Sequence, residues 1–173
     1  IYISWAFRKV PNPFRYGTCA IIALIHDVLV AFAVFAFAGR AMNLEINLMF
    51  ITAMLTVIGY SVNDTIVVFD RIRENLAKAG RQSFETVVNN SLVETVTRSI
   101  NTSLTTLIVL IAVYLFVGEA IESFMLVLMV GIVSGTYSSI FIASQLLVVW
   151  ESKGGLGWQA LTRPPFDSQT TRS

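Results

Sequence analysis

Four long apolar stretches, Gly17 to Ala38, Leu48 to Phe69, Ile100 to Val117 and Phe124 to Trp150, alternate with polar interruptions along the chain. An α-helix needs roughly 20 apolar residues to cross bilayer hydrocarbon. The pattern therefore predicts four transmembrane helices, the third being short unless Arg98 and Ser99 are included. Residues 1–7, Ile-Tyr-Ile-Ser-Trp-Ala-Phe, read as the end of a further, truncated hydrophobic helix, and the lack of an initiator Met suggests a fragment of something longer. The connections 39–47 and 118–123 are short enough to make hairpins between antiparallel neighbours. The expectation is an all-α, polytopic bundle over residues 17–150, with a Gly- and Pro-marked tail over 151–173.

The polar stretch between the second and third spans has a pattern of its own. Residues 71–78 can extend the second span as a helix into water, Gly80 can end it, and Ser83 is a plausible N-cap for the next helix. Phe84, Val88, Leu92, Val96 and Ile100 then recur every four residues, with Glu85, Asn89, Asn90 and Glu94 elsewhere around the helix. The segment 70–97 is expected to be an amphipathic connection, lying either at the membrane surface or on the protein's own face.

Composition agrees with a membrane protein: 55% of the 173 residues are hydrophobic and only 13% charged, with a mean hydropathy of +0.70. A soluble domain of this length carries about 25% charged residues. The net charge of +1 selects no partner, nucleic acid included, but the distribution of basic residues is informative. Eleven of the 12 Lys and Arg fall at 8, 9 and 15, between the second and third spans, or in the tail, whereas the two hairpins hold only Arg40. The positive-inside rule places residues 39–47 and 118–123 outside and the C-terminus in the cytoplasm. Cys19 is the single cysteine, so no intramolecular disulfide forms, and no Cys/His spacing suggests a metal site.

Ionised groups in hydrocarbon cost roughly 2.5 to 3.5 kcal/mol on insertion scales, and they are retained where they face a bundle interior or a wet cavity. Asp27 with His26, Asp64 and Arg98 are in this position. Asp27 lies about ten residues from the start of its span and Asp64 about five from the end of its own, depths of roughly 15 and 7 Å in the same half of the membrane. Thr52, Thr56, Tyr60 and Asp64 stack at intervals of four, with Asn63 beside them, and Arg98, Asn101 or Thr102, and Thr105 follow similar spacing on the next span. If the stripes meet, Arg98 favours the ionised form of Asp64 while burial favours the neutral form, as a proton-loading carboxylate requires. Snorkelling of Arg98 and a solvated rim position for Asp64 are the structural alternatives. His26 can relay a proton or form a structural pair with Asp27.

Gly131, Gly135, Ser139 and Ala143 make a small-residue ridge on the last span, with Ser134 and Ser138 adding hydrogen-bonding capacity; the ridge reads as helix packing with an unspecified partner. No GxxxxGK[ST], GxSxG or HExxH motif occurs, so no ATP-hydrolysing or hydrolase chemistry is expected.

The segment GYSVNDTIVVFDRIREN, Gly59 to Asn75, closely resembles the signature of the SecF side of the SecD/SecF protein-export family, within the resistance-nodulation-division superfamily. His26-Asp27 and TRSINTSLTTL, Thr97 to Leu107, support the resemblance, which covers most of Gly17 to Ser144. It implies a C-terminal membrane half lacking the first span, a large extracytoplasmic domain and most of the second span. It also implies partnership with SecD, the Sec channel and the preprotein in the bacterial inner membrane, with Asp64 and Arg98 as the charged pair linked to cation transport. The coupling ion would be H⁺ or Na⁺, with no other cofactor and no enzymatic activity. Alternatives are another ion-coupled exporter of the superfamily, or a scaffold in which the charges only lock helix register.

Overall fold

The structure, a computed structural model, describes residues 13–42, 46–80, 82–116 and 121–153. The hydrophobic opening 1–7, the centres of both hairpins and the tail beyond residue 153 lie outside the described residues. Helix α1 spans Pro13–Met42, α2 Leu48–Lys78, α3 Phe84–Phe116 and α4 Glu122–Ser138; a π-helical turn, Ser139–Ala143, joins α4 to α5, Ser144–Lys153. The described residues are almost wholly helical, in agreement with the all-α expectation, and they form four rods long and apolar enough to cross a membrane.

Local chemistry sets the helix ends. Asn47 caps α2 by accepting the Phe50 N–H at 3.0 Å, satisfying a donor that has no partner within the helix. After Lys78 the chain turns at Gly80, whose φ of 56° suits a residue without a Cβ. Ser83 Oγ accepts the Thr86 N–H at 3.2 Å and begins α3. The connection 70–97 is thus a helical hairpin continuing two spans. It is closed by Arg71 Nε donating to Glu94 at 2.6 Å and Asn75 donating to Ser91 at 3.0 Å. The start of α3 therefore packs on the protein itself. Its buried line runs through Val87, Val88, Ser91, Thr95, Ser99 and Ser103, whereas Ile100 of the anticipated apolar line is exposed.

Helix α4 packs against each of α1, α2 and α3. The ridge Gly131, Gly135, Ser139 and Ala143 is buried, and its glycines face α2. A Cβ on Gly131 would come within 2.1 Å of Val57 Cγ2, and one on Gly135 within 3.2 Å of Ser61 Cβ. In lipid, where apolar burial gives helices no advantage over contact with acyl chains, such close approach is a main source of association. The exterior is accordingly apolar, with Phe37, Leu55, Ile108 and Phe116 exposed.

Two apolar clusters hold the rods together. One contains Tyr16, Cys19, Ala20, Ala23, Val68, Phe69, Ile72, Val88, Ala143 and Leu147, and the other Phe35, Phe50, Ala53, Val57, Val127 and Leu128. On α1, α2 and the α4–α5 rod alike, a polar segment separates the residues of one cluster from those of the other. Asp27, Ser61, Thr65, Ser134, Ser138 and Ser139 are the buried polar residues of those segments.

Candidate functional site

Asp27 is fully buried. Ser61 Oγ on α2 donates to its Oδ2 at 2.5 Å, Ser138 Oγ on α4 donates to the same oxygen at 2.6 Å, and Ser134 Oγ donates to Oδ1 at 2.9 Å. His26 Nδ1 lies 3.2 Å from Oδ1. An ionised carboxylate accepts through about four lone-pair positions, and here all of them are addressed. Three helices therefore converge on one side chain, and among the described residues no buried side-chain nitrogen or oxygen lacks a partner.

Asp64 forms a second node on the neighbouring face of α2. Ser99 Oγ on α3 donates to Oδ1 at 2.7 Å, and Ser139 Oγ, at the first residue of the π turn, donates to Oδ2. One turn further along α2, Tyr60 Oη is 3.2 Å from Ser103 Oγ, which is 2.5 Å from Thr136 Oγ1. Asp64 is half-buried, and hydroxyls of α3 and of the α4–α5 rod hold it inside the bundle.

The anticipated contact between Asp64 and Arg98 is not made. Arg98 is exposed, and no ion pair links it to a carboxylate among the described residues. The reason is angular: successive helical residues are about 100° apart, and it is Ser99, 2% exposed, that faces α2. Asn101 and Thr102 are likewise exposed, as are Asn63, Thr52, Thr56 and Thr105. The hydroxyls of Thr52, Thr56, Thr102 and Thr105 turn back to carbonyls of their own helices, a common resting place for a threonine without an external partner. Of the stripe expected on α2, Tyr60 and Asp64 reach α3 or α4. The stripe of α3 that enters the site was legible as Ser91, Thr95, Ser99 and Ser103 at intervals of four, but small hydroxyls carry a weaker signal than the charge beside them.

His26 is the partner of Asp27 nearest the exterior, its side chain 36% exposed. It lines a cavity of about 560 Å³ between α1 and α4, together with Val30, Met129, Val133, Ser134 and Tyr137. No group of three or more His, Cys, Asp or Glu residues among the described ones is placed to hold a metal ion. What these oxygens can do is bind and release a proton, or offer a few oxygen ligands to a hard monovalent cation.

The chain has counterparts among known proteins. The family described as protein export membrane protein SecD/SecF, C-terminal, matches residues 1–153. The chain belongs to the SecD/SecF family. It is 58% identical over 163 residues to the protein translocase subunit SecF of Thermobaculum terrenum, a match covering 94% of this chain and 51% of that protein. It is 51% identical over 159 residues to the protein translocase subunit SecF of Anaerolinea thermophila, covering 91% and 52%. The chain thus spans about half the length of these SecF relatives. A crystal structure of SecDF in a super-membrane-facing form superposes with a TM-score of 0.76 at 37% identity, covering 94% of this chain and 21% of that one. A SecDF described as a translocon-associated membrane protein, from a Thermus species, gives 0.71 at 40% identity over 80% of this chain and 19% of its own. A SecD/SecF family chain with four apolar rods is a multi-pass membrane protein.

Proposed function

We propose that this chain is the C-terminal membrane part of a SecF-type subunit. It works with SecD in the bacterial inner membrane and draws on the transmembrane ion gradient to promote protein export through the Sec channel. Family membership supports the export role, and the two SecDF superpositions support SecD as partner. The observation that carries the coupling mechanism is Asp64, an acid held by Ser99 of α3 and Ser139 of the π turn, with no Lys or Arg paired to it among the described residues. When ionised, Asp64 accepts from both hydroxyls and draws α3 and the α4–α5 rod onto α2. Binding H⁺ or Na⁺ at the carboxylate weakens both acceptor bonds together and frees the rods to shift. Arg98, adjoining Ser99 on the outer flank of α3, contributes positive charge beside the site.

The driving force is adequate: an elementary charge crossing 100 mV supplies about 2.3 kcal/mol, and a proton gains about 1.36 kcal/mol per pH unit. This biases a two-state helix rearrangement by one to two orders of magnitude. The chain acts as a transporter component and not as an enzyme, and an extracytoplasmic domain outside residues 1–173 would pass the shift to the preprotein. Asp64→Asn in the full-length protein, assembled with its partner in vesicles, should lose the gradient-stimulated part of export and keep the gradient-independent part. Full stimulation in a normally assembled variant would overturn the proposal. Collapsing the proton and sodium gradients separately identifies the ion.

A further inference from the structure

Ser138 and Ser139 are consecutive, yet each holds a different acid: Ser138 donates to Asp27 and Ser139 to Asp64. Each hydroxyl also has a second acceptor three residues back on its own helix. Ser138 Oγ lies 3.2 Å from the Gly135 carbonyl, and Ser139 Oγ lies 3.1 Å from the Thr136 carbonyl. A hydroxyl carries one proton and two lone pairs. It can give its proton to a carboxylate, or turn to the backbone carbonyl and accept from a carboxyl that has become protonated. Both acids can therefore gain or lose a proton without leaving a buried polar atom unmet, a failure that would cost about 1–3 kcal/mol each.

Among the described residues, Asp27 itself has no Lys or Arg partner. Its contacts are three hydroxyls and one imidazole, and it is 0% exposed. We propose that Asp27 is a second proton-binding group. It forms one two-site unit with Asp64, joined through Ser138 and Ser139 at the start of the π turn, so that the charge on either acid sets the proton affinity of the other. The titratable side chains on the turns around this pair are His26 on α1, Tyr60 on α2, Arg98 on α3 and Tyr137 on α4; only His26 is within hydrogen-bond distance of a carboxylate. This deepens the reading above and rests on it for the role of Asp64 in export, though not for the titration of Asp27.

The test is infrared titration of the carboxylic acid C=O bands in the full-length protein with its partner subunit in vesicles. In the difference between Asp64→Asn and Asp64→Asn/Asp27→Asn, which cancels the other carboxyl groups, one titrating band should remain. Whichever acid of the pair loses its proton second should have its midpoint lowered by about one unit, tenfold in proton affinity, when the other is asparagine, because a neutral neighbour no longer repels the second charge. The acid that titrates first does so beside a neutral neighbour, so its own midpoint should barely move. The proposal is overturned if that difference shows no titrating band, or if neither acid's midpoint moves when the other is replaced by asparagine. Should Asp27→Asn fail to assemble, Ser134→Ala decides, since Ser134 donates to Asp27 and not to Asp64. In the Asp64→Asn background that change should raise the remaining midpoint, and an unmoved midpoint overturns the assignment. Linked titration in a complex whose export ignores the gradient would remove the export reading alone. Gradient-driven export with independent titrations would remove only the linkage.

Discussion

Gly131 leaves no room for a side chain, since an added Cβ would lie 2.1 Å from Val57 Cγ2 and 2.9 Å from Val57 Cβ. A methyl group there forces α4 away from α2 or pushes Val57 off its rotamer. Gly131→Ala should therefore destabilise the purified protein by about 1–3 kcal/mol, the usual cost of overpacking. The double variant Gly131→Ala/Val57→Ala should recover most of the loss in a detergent-unfolding titration. Failure of Val57→Ala to rescue would show that this contact is not the tight one. Gly135 is more forgiving, at 3.2 Å from Ser61 Cβ. Ser61 nevertheless holds Asp27, so even a small displacement at Gly135 reaches the acid through its donor.

At the scale of elements, the α4–α5 rod is tied to α1 twice, at the centre through Asp27 and at the rim through Arg15 and Glu151. Arg15 Nη1 donates to Glu151 Oε2 at 2.7 Å and to the Trp150 carbonyl at 3.2 Å. The two side chains are 22% and 8% exposed, respectively. Breaking a buried pair by removing one member strands the other, which typically costs about 3–5 kcal/mol, whereas replacing both with apolar residues is often neutral. Arg15→Met should thus be strongly destabilising and Arg15→Met/Glu151→Leu close to wild type by the same titration. Equal damage in the single and double variants would refute that account. The hairpin cluster of Arg71, Glu74, Lys78 and Glu94 is exposed and screened by solvent, so its single substitutions should matter less.

At the scale of the whole molecule, the distribution of basic residues predicts which ends of the rods share a compartment. Cys19 is fully buried, so the native protein should be silent to an impermeant maleimide, and a single introduced cysteine can report its side. Arg40→Cys should label from outside intact cells, and Lys78→Cys only after the inner face is exposed. The swapped pattern, Lys78→Cys labelling from outside and Arg40→Cys only once the inner face is exposed, would reverse the orientation. The two acids lie on adjacent antiparallel rods between the two apolar clusters. They form a polar layer closed by apolar packing on either side.

Long apolar runs are decided by composition alone, because only a helix satisfies the backbone within one segment in lipid; four helices, the turn at Gly80 and the cap at Ser83 could be read directly. Buried acids also announce themselves, since charge in an apolar run is costly wherever it points, and Asp27 and Asp64 were recognisable on that ground. Their partners were not. A helix places neighbours about 100° apart, so whether Arg98 or Ser99 meets Asp64 depends on the rotation of α3 against α2. That rotation is set by packing at Ser91, Thr95 and Ser103, which lie buried along the same face. The junction of two carboxylates at Ser138 and Ser139 likewise required three rods to converge, because hydroxyls become specific donors only where tertiary packing excludes water and supplies an acceptor.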